Sequence, residues 1–523
     1  LNATWYKATS LDNSIVFNHD REQEMKRRVV LTGWGQVTQP KQQTDDSIRD
    51  PLGLMADASR QAFEMTGSFD APRNLDGLMA VKVMSTYYAS VDRFLAEKMG
   101  LNPRFSMVSK IGGNSPQALI NKAAGMIARG ELESVLIAGA EAYYPRNRNR
   151  EIQGNCLFQG FPTDYEEDDI IGATESETRH GMILPIHGFP LFETALWSES
   201  GLQLAAYMKR IGALWASFSE VAATHPNSWT RTPRTIEEIA VPSPSNRFIA
   251  LPYTKLMNPL LSADLGAAVV LMSEETARRY ARKGSRPVYF LGGGYAEDRQ
   301  RFVIQKSDFT SSFPLKTAAD KAIRRSNLCL DDIECFDLYS CFHSAVSIAR
   351  RMLELKDDDP RPLTLTGGEG FFGGPGNNYS LHAVATLADA IASGRTDNGM
   401  ITAIGWFMHK HAAGIYGAEP GDTDLSYHDL EDETNYMVGN PPVDIVDEAW
   451  GEGAIETYTV VYSREGAPSY AIVYGRTQKG LRFVAQDHPG EGLIEALTSR
   501  NQVGARVRLR FDRLQERNLA MLI

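Results

Sequence analysis

The 523-residue chain is poor in cysteine, with only Cys156, Cys329, Cys335 and Cys341. Four in so long a chain exclude a disulfide framework, and the spacing of the last three suits no zinc site. A reducing cytosol, hence a cytoplasmic location, is the plain expectation. Positive charge is also short, because 54 Lys and Arg against 65 Asp and Glu leave a formal net charge of −11. That excludes sequence-independent nucleic-acid binding, which needs a basic field, while leaving room for local basic patches that hold a phosphorylated ligand. The opening stretch, LNATWYKATSLDNSIVFNHDREQEMKRR, has no long apolar run, so neither a signal peptide nor a membrane anchor is expected. The missing initiator Met points to a processed or incompletely represented start, and Asn2-Ala3-Thr4 is read as a chance glycosylation acceptor. No His, Asp, Glu or Cys spacing matches a metal site, so no metal is expected.

What is present is the balance of a soluble globular protein, 43% hydrophobic and 23% charged, in a chain long enough for two or three cores. "RRVVLTGWGQV" reads as a strand entering a Gly turn, "PLGLMADASRQAFEM" as a helix and "LDGLMAVKVM" as the next strand. "SKIGGNSPQALINKAAGMIARGELESVLIAGAEA" then gives a Gly-rich elbow, a helix over about 115–129 and a strand over about 134–140. Strands alternating with helices predict a layered α/β fold. Residues 143–250 break the rhythm and read as an insertion covering one face of the sheet. A second round of similar element order starts at Pro287, so the core reads as an internal duplication. A polar, acidic linker follows, and "AIETYTVVYS", "PSYAIVYGRT", "LRFVAQD" and "GARVRLRF" read as strands of a small β-barrel of OB type, with a helix near 491–499. The boundaries are 1–27, an N-terminal extension; 28–280, the first half with its insertion; 281–418, the second half; 419–445, the linker; and 446–523, the barrel domain.

Four stretches in order carry a family resemblance: the elbow unit ending "GELESVLIAGAEA", "PYTKLMNPLLSADLGAAVVLMS", "FDLYSCFHSA" and "LTGGEGFFGGPGNNYSLHAVATLADAI". The core, roughly 28–418, resembles the thiolase superfamily, near the sterol-carrier-protein thiolases. The resemblance implies a duplicated five-layered αβαβα fold, a coenzyme A thioester as substrate or ligand with no covalently bound cofactor, acetyl-CoA-acetyltransferase-like chemistry in lipid metabolism, and a homodimer through the core. It also sets chemical demands that this chain does not meet. Gly112 stands at the nucleophilic cysteine and Gly374 at the histidine of Gly-His-Pro. "ITAIGWFMHKHAAG" lacks Cys-x-Gly, and Tyr339 stands at the oxyanion-hole histidine. Ordinary thiolysis through an acyl-cysteine is therefore not expected.

The remaining candidates are weighed against plainer roles. Ser115 could use the helix dipole as a nucleophile, but Asn114 or Ser115 is a natural N-cap. Cys341 reads as a small buried hydrophobe, and Cys156, Cys329 and Cys335 fit no catalytic pattern. Tyr339 could hold a developing enolate or take a β-hydroxyl proton, as tyrosines do in a cysteine-less branch of the superfamily that cleaves β-hydroxyacyl-CoA by retro-aldol chemistry. Its plain alternative is packing at a strand end. His343, His382, His409 and His411 fall on three matched catalytic loops, with His382 and His411 favoured as pocket residues. Gly373, Gly374 and Asn378, with Gly112, Asn114 and Ser115, would line the thioester, and "GGPGNN" could aim amides at an oxyanion. The leading expectation is cysteine-independent carbon–carbon chemistry on an acyl-CoA, retro-aldol or divergent Claisen. The rival is a non-catalytic thioester-binding or scaffold protein. An enzyme predicts that Tyr339, His382 and His411 converge; a scaffold predicts a filled pocket. Exposure to acetyl-CoA should leave the intact mass unchanged, and a stable acetyl adduct on Ser115 or Cys341 would overturn this reading of the elbow.

Overall fold

The computed structural model describes residues 27–39, 48–67, 74–143, 172–280, 286–421, 425–427 and 436–523. The expectations for 1–26, for the Asn2-Ala3-Thr4 site, for Cys156 and for parts of the insertion and linker lie outside the described residues.

The first half supplies β1 (Val29–Thr38), α1 (Pro51–Thr66), β2 (Gly77–Ala80), α2 (Val91–Met99), β3 (Phe105–Val108), α3 (Ser115–Ala128) and β4 (Ser134–Ala142). The insertion holds α4 (Pro185–Ser200), α5 (Leu204–Thr224) and β5 (Phe248–Ala250); β6 (Tyr253–Thr254) follows it and β7 (Asp264–Ser273) closes the half. The second half runs β8 (Val288–Asp298), α6 (Phe313–Ser326), β9 (Phe336–Asp337), α7 (His343–Met352), α8 (Tyr379–Ala392), β10 (Asn398–Gly405) and β11 (Lys410–Gly417). Strand order is β3-β2-β4-β7-β1 continuing into β8-β11-β10-β9, so the halves meet where β1 and β8 pair antiparallel. The result is the duplicated, layered thiolase-like α/β fold. The two central helices begin at Ser115, as the elbow pattern predicts, and at Tyr379.

Both halves use one device to seat their first helix. A Cβ at Gly33 or Gly35 of β1 would run into the backbone of α1 at Ala62 or Ala58, and one at Gly292 or Gly294 of β8 into the backbone of α6. "TGWG" and "GGG" are thus close-approach sequences, repeated because the packing is repeated. The halves differ in one strand. β9, β10, β11 and β8 match β2, β4, β7 and β1, but the place of β3 is taken by Pro362 and Leu363, whose carbonyls accept from Phe336 N–H (2.8 Å) and Leu338 N–H (3.0 Å) without forming a strand. Pro360 and Pro362 cannot donate to a ladder, which explains why only four strands correspond rather than five.

After β12 (Met437–Val438), which pairs with β8, come β13 (Gly451–Tyr462), β14 (Pro468–Thr477), β15 (Arg482–Asp487), α9 (Leu493–Ser499), β16 (Arg506–Asp512) and β17 (Arg517–Leu522). Their order, β13-β14-β15-β17-β16 and back to β13, is a closed five-stranded barrel. Closure depends on β17, a strand the sequence reading did not assign.

The barrel is bonded to the core through buried groups. Asn518 N–H donates to His180 Nε2 (2.8 Å), while His180 Nδ1 lies 2.7 Å from the Ser176 carbonyl and donates to it. Gln486 donates to the His180 carbonyl (2.9 Å), and Tyr474 donates to Glu177 (2.9 Å). Burial pushes His180 down from 6.5 to about 4, so the folded ring is neutral. Its contribution is therefore fully present above pH 6.5 and is lost progressively as pH falls towards 4. In denaturant melts, wild type should lose stability relative to His180→Gln between about pH 7 and about pH 4, by on the order of 3 kcal/mol in total. An unchanged difference between the two proteins would refute this role.

Candidate functional site

The elbow before α3 is built from two glycines and a wedge. Gly112 has φ 149°, a region only glycine enters comfortably, and its N–H donates to Asn377 Oδ1 (3.0 Å). Asn114 does not cap the helix. Its backbone is already helical (φ −75°, ψ −17°), whereas a capping side chain needs an extended backbone. Its carboxamide lies instead between Gly112 and Gly405, where a Cβ on either glycine would fall on Asn114 Oδ1. Ser115 is no free nucleophile either, because its hydroxyl donates to the Lys110 carbonyl (2.6 Å).

Tyr339 leaves the end of β9 with its N–H on Thr402 Oγ1 (3.0 Å) and its ring edge-on to Tyr379, centroids 5.5 Å apart. The phenol reaches over the elbow. A Cβ at Gly113 would land on the Tyr339 hydroxyl oxygen, with Cζ at 2.5 Å. The Glu369 carboxyl is its electrostatic neighbour. Burial, then the Glu369 charge, push the phenol well above its ordinary value. Glu369 is 4% exposed; burial pushes its carboxyl up to about 8, and its Oε1 has no hydrogen-bond partner. A Cβ at Gly374 would stand 3.0 Å from Glu369 Oε2. Cys341 is buried in the same turn, and burial followed by the Glu369 charge keeps its thiol neutral.

The expected glycine cradle is spent on the backbone. Gly374 N–H donates to Leu260 O (3.0 Å), Gly376 N–H to Gly374 O (2.8 Å) and Asn378 N–H to Pro375 O (2.8 Å). Gly373 (φ 122°) is required because a Cβ would stand 2.8 Å from Leu265 Cδ1, and Asn378 donates from its side chain to Gly139 O (2.7 Å). Beneath the site, fully buried Asp337 accepts from the N–H groups of Leu365 (2.8 Å) and Thr366 (3.0 Å) and from the Tyr379 hydroxyl (3.1 Å). Helix α5 lies over the loop that follows: a Cβ at Gly367 would stand 2.5 Å from Ala222 Cβ, and one at Gly368 2.8 Å from Phe218.

The histidines do not gather round Tyr339. On β11, Lys410 shares the side of the hairpin that faces Asn114 and α3, so strand alternation turns His411 to the opposite face. There His411 Nε2 lies 3.1 Å from Ser312 Oγ and 3.3 Å from the Met408 carbonyl, and burial pushes the ring down to about 3. His382 lies one turn into α8, with Nδ1 2.8 Å from Gln36 Oε1 on β1. The Phe372 ring packs against both His382 and Tyr379, and burial, then His225, lower His382 to about 3. His343, the first residue of α7, turns to the insertion, with Nδ1 3.0 Å from Glu193 of α4 and its ring against Trp215 of α5. His409 lies in the β10–β11 turn beside Gly172, its carbonyl accepting from Asp298 N–H (2.7 Å). That turn forces Trp406 (φ 49°) and Met408 (φ 62°) into left-handed conformations.

The crystal structure of a monomeric SCP2-thiolase like protein type 1 from Mycobacterium smegmatis is 31% identical and superposes with a TM-score of 0.80, over 95% of this chain and 99% of that one. The chain belongs to the SCP2-thiolase-like protein type 1 family. Residues 434–513, which hold most of the barrel, match the thiolase-like protein type 1 additional C-terminal domain. The fold is also shared with the Ltp2-ChsH2(DUF35) aldolase (19% identity, TM-score 0.58, 76% of this chain and 98% of that one). It is shared as well with an acetyl-CoA acetyltransferase from Syntrophomonas wolfei (15%, 0.55, 75% and 100%). No curated protein sequence matches the chain significantly. Among the described residues no helix is long and apolar enough to cross a membrane.

Against the superfamily pattern, the vacated positions of this SCP2-thiolase-like protein are not empty. The Asn114 carboxamide stands at Gly112 and Gly405, the Tyr339 phenol at Gly113 and the Glu369 carboxyl at Gly374. Sequence reasoning missed Glu369. The available signal was a lone acid in the uncharged run "GGEGFFGGPG", with no basic residue nearby to neutralise it. A buried carboxyl raised from 4.5 to about 8 favours the folded state fully below pH 4.5, and that contribution is lost as pH rises through 8. Glu369→Gln, which does not titrate, should therefore gain stability relative to wild type from about pH 5 to pH 8, by on the order of 4 kcal/mol, and level off above. Thermal melts across that range check this, and parallel curves would refute it.

Proposed function

We propose that this protein binds an acyl-CoA thioester and cleaves a carbon–carbon bond in it without an acyl-enzyme, in the retro-aldol sense. Tyr339 and Glu369 are the working pair. One observation carries the reading: two buried oxygen acids that act on each other electrostatically stand over the elbow, Tyr339 at Gly113 beside the expected cysteine position and Glu369 at Gly374, the expected histidine position. In a β-hydroxyacyl thioester, ionised Glu369 takes the β-hydroxyl proton and the Cα–Cβ bond breaks. Its electron pair enters the thioester as an enolate, and the β-carbon leaves as a ketone or aldehyde. Once Glu369 is protonated, the Tyr339 hydroxyl is released from the carboxylate and donates to the enolate oxygen. Glu369 then returns its proton to the α-carbon. The aldolase among the structures of similar fold supports this reading by analogy only. A divergent Claisen reaction would use the same enolate and a second thioester.

The second reading is a non-catalytic acyl-CoA-binding or scaffold protein. The burial of Tyr339, Glu369 and Cys341, with the loop amides already bonded, favours it. In either reading we place the protein in the cytoplasm and in lipid metabolism, and assign the barrel to the OB type. The superfamily's homodimer through the core has no support from the mycobacterial relative, which is described as monomeric.

Purified protein incubated with acyl-, β-ketoacyl- and β-hydroxyacyl-CoA, with products read by mass, tests the proposal. Cleavage of the β-hydroxyacyl thioester should accelerate as pH rises through 8, following ionisation of Glu369. Tyr339→Phe and Glu369→Gln should each lower turnover by about 10²–10³-fold with folding intact. Unchanged turnover in both variants would refute the pair, and binding of the thioester without any product would establish the scaffold reading.

A further inference from the structure

β16 turns every second residue outward: Arg506, Arg508 and Arg510 are exposed, while Val507 and Leu509 fill the barrel. Directly opposed residues on neighbouring strands share a face, so the register names their neighbours. On β17, Met521 stands opposite Arg508, and Ile523, just past the strand, donates its N–H to the Arg506 carbonyl (3.2 Å). On β13, Glu452 stands opposite Arg508 and Ala454 opposite Arg506. Trp450 precedes Gly451, the partner of Leu509, and so stands level with Arg510. Trp450 is 55% and Ile523 56% exposed. Arg506 is neutralised by an ion pair with Glu452. Arg508 and Arg510 have no carboxylate within ion-pair distance among the described residues. The face is thus a column of arginines with an aromatic at one end and an apolar edge along β17.

We propose that this outer face of the barrel docks an amphipathic helix of an acidic partner protein. Two unpaired arginines beside an open tryptophan are the composition of an interface centre, where Arg and Trp are enriched and Lys is depleted. The spacing fits a helix. Alternate residues of a strand lie about 6.7 Å apart, and helical residues four apart are displaced by about 6 Å along the axis, so acids at i, i+4 and i+8 follow the arginine column. Apolar residues at i+3 and i+7 of that helix would then lie along Met521 and Ile523. A polynucleotide fits less well, since the apolar edge along β17 would have no counterpart on it.

The test uses the full chain and a fluorescent peptide of about sixteen residues, with Glu at i, i+4 and i+8 and Leu at i+3 and i+7, followed by anisotropy. Two controls are a scrambled peptide of the same composition and a thymidine oligonucleotide of equal length. The ordered peptide should bind at least about 10-fold more tightly than the scrambled one, and more weakly as salt rises. Arg508→Glu with Arg510→Glu should cost about 10-fold or more, and Trp450→Ala a comparable loss, with unchanged melting because all three side chains are exposed. No binding, equal binding of the scrambled peptide, indifference to the variants, or tighter binding of the oligonucleotide would each overturn the proposal.

Discussion

A single buried carboxylate holds the candidate site together. Asp337 sits at the end of β9, fully enclosed, and receives backbone N–H groups from 365 and 366, the Thr366 hydroxyl and the Tyr379 hydroxyl. These bonds join three separate pieces: the strand that launches Tyr339, the loop that carries Glu369 and the first residue of α8. Burial pushes the Asp337 carboxyl above the usual carboxylate range even against these donors, so a shift of any one piece would strip hydrogen bonds from a polar group that the core cannot otherwise satisfy. Tyr339 is placed two residues beyond Asp337 and Glu369 three residues beyond Thr366. Their meeting over Gly113 is a consequence of that anchor.

The space around the elbow glycines is filled by other side chains of this chain. Removing a side chain from a packed interior leaves a cavity whose cost grows with its volume, so a vacated position is stable only if something else occupies it. Here the replacements come from elsewhere in the chain, and each is polar: a carboxamide, a phenol and a carboxyl. Asn114 Oδ1 and Glu369 Oε1 are left buried without partners. Such orphaned polar atoms each carry a desolvation cost that the packing around the elbow must offset.

The insertion and the barrel form one continuous framework around this centre. Glu193 of α4 is fully buried and would be driven neutral by that burial, but His343 and the hydroxyls of Tyr207 and Tyr253 hold it ionised. That cluster fixes α4 and α5 onto the start of α7, immediately after the Tyr339 turn. The barrel in turn rests on the same insertion through Thr457, which donates to the Leu191 carbonyl of α4, and through Thr459, which donates to Leu251 O. His343 belongs to this framework through Glu193, whereas His382 and His411 are buried against Gln36 and Ser312 of the core.

The sequence by itself determined the parts that rest on local periodicity and close packing. The two α/β rounds, the helix start at Ser115 and four barrel strands all follow from residues near one another in the chain, while the absence of the cysteine and histidine is what the thiolase resemblance implies. It could not decide the direction of a side chain whose strand has two usable faces, so His411 was legible as a residue of the right loop but not as one facing away from α3. Nor could it reveal the short fifth strand of the barrel, whose pairing partners stand far from it in sequence. Only the tertiary structure brought Glu369 onto Tyr339, because their proximity is imposed by Asp337 and by the glycines that let three backbones approach. Function at this site is a property of which side chains share one buried volume, and a one-dimensional pattern does not encode that volume.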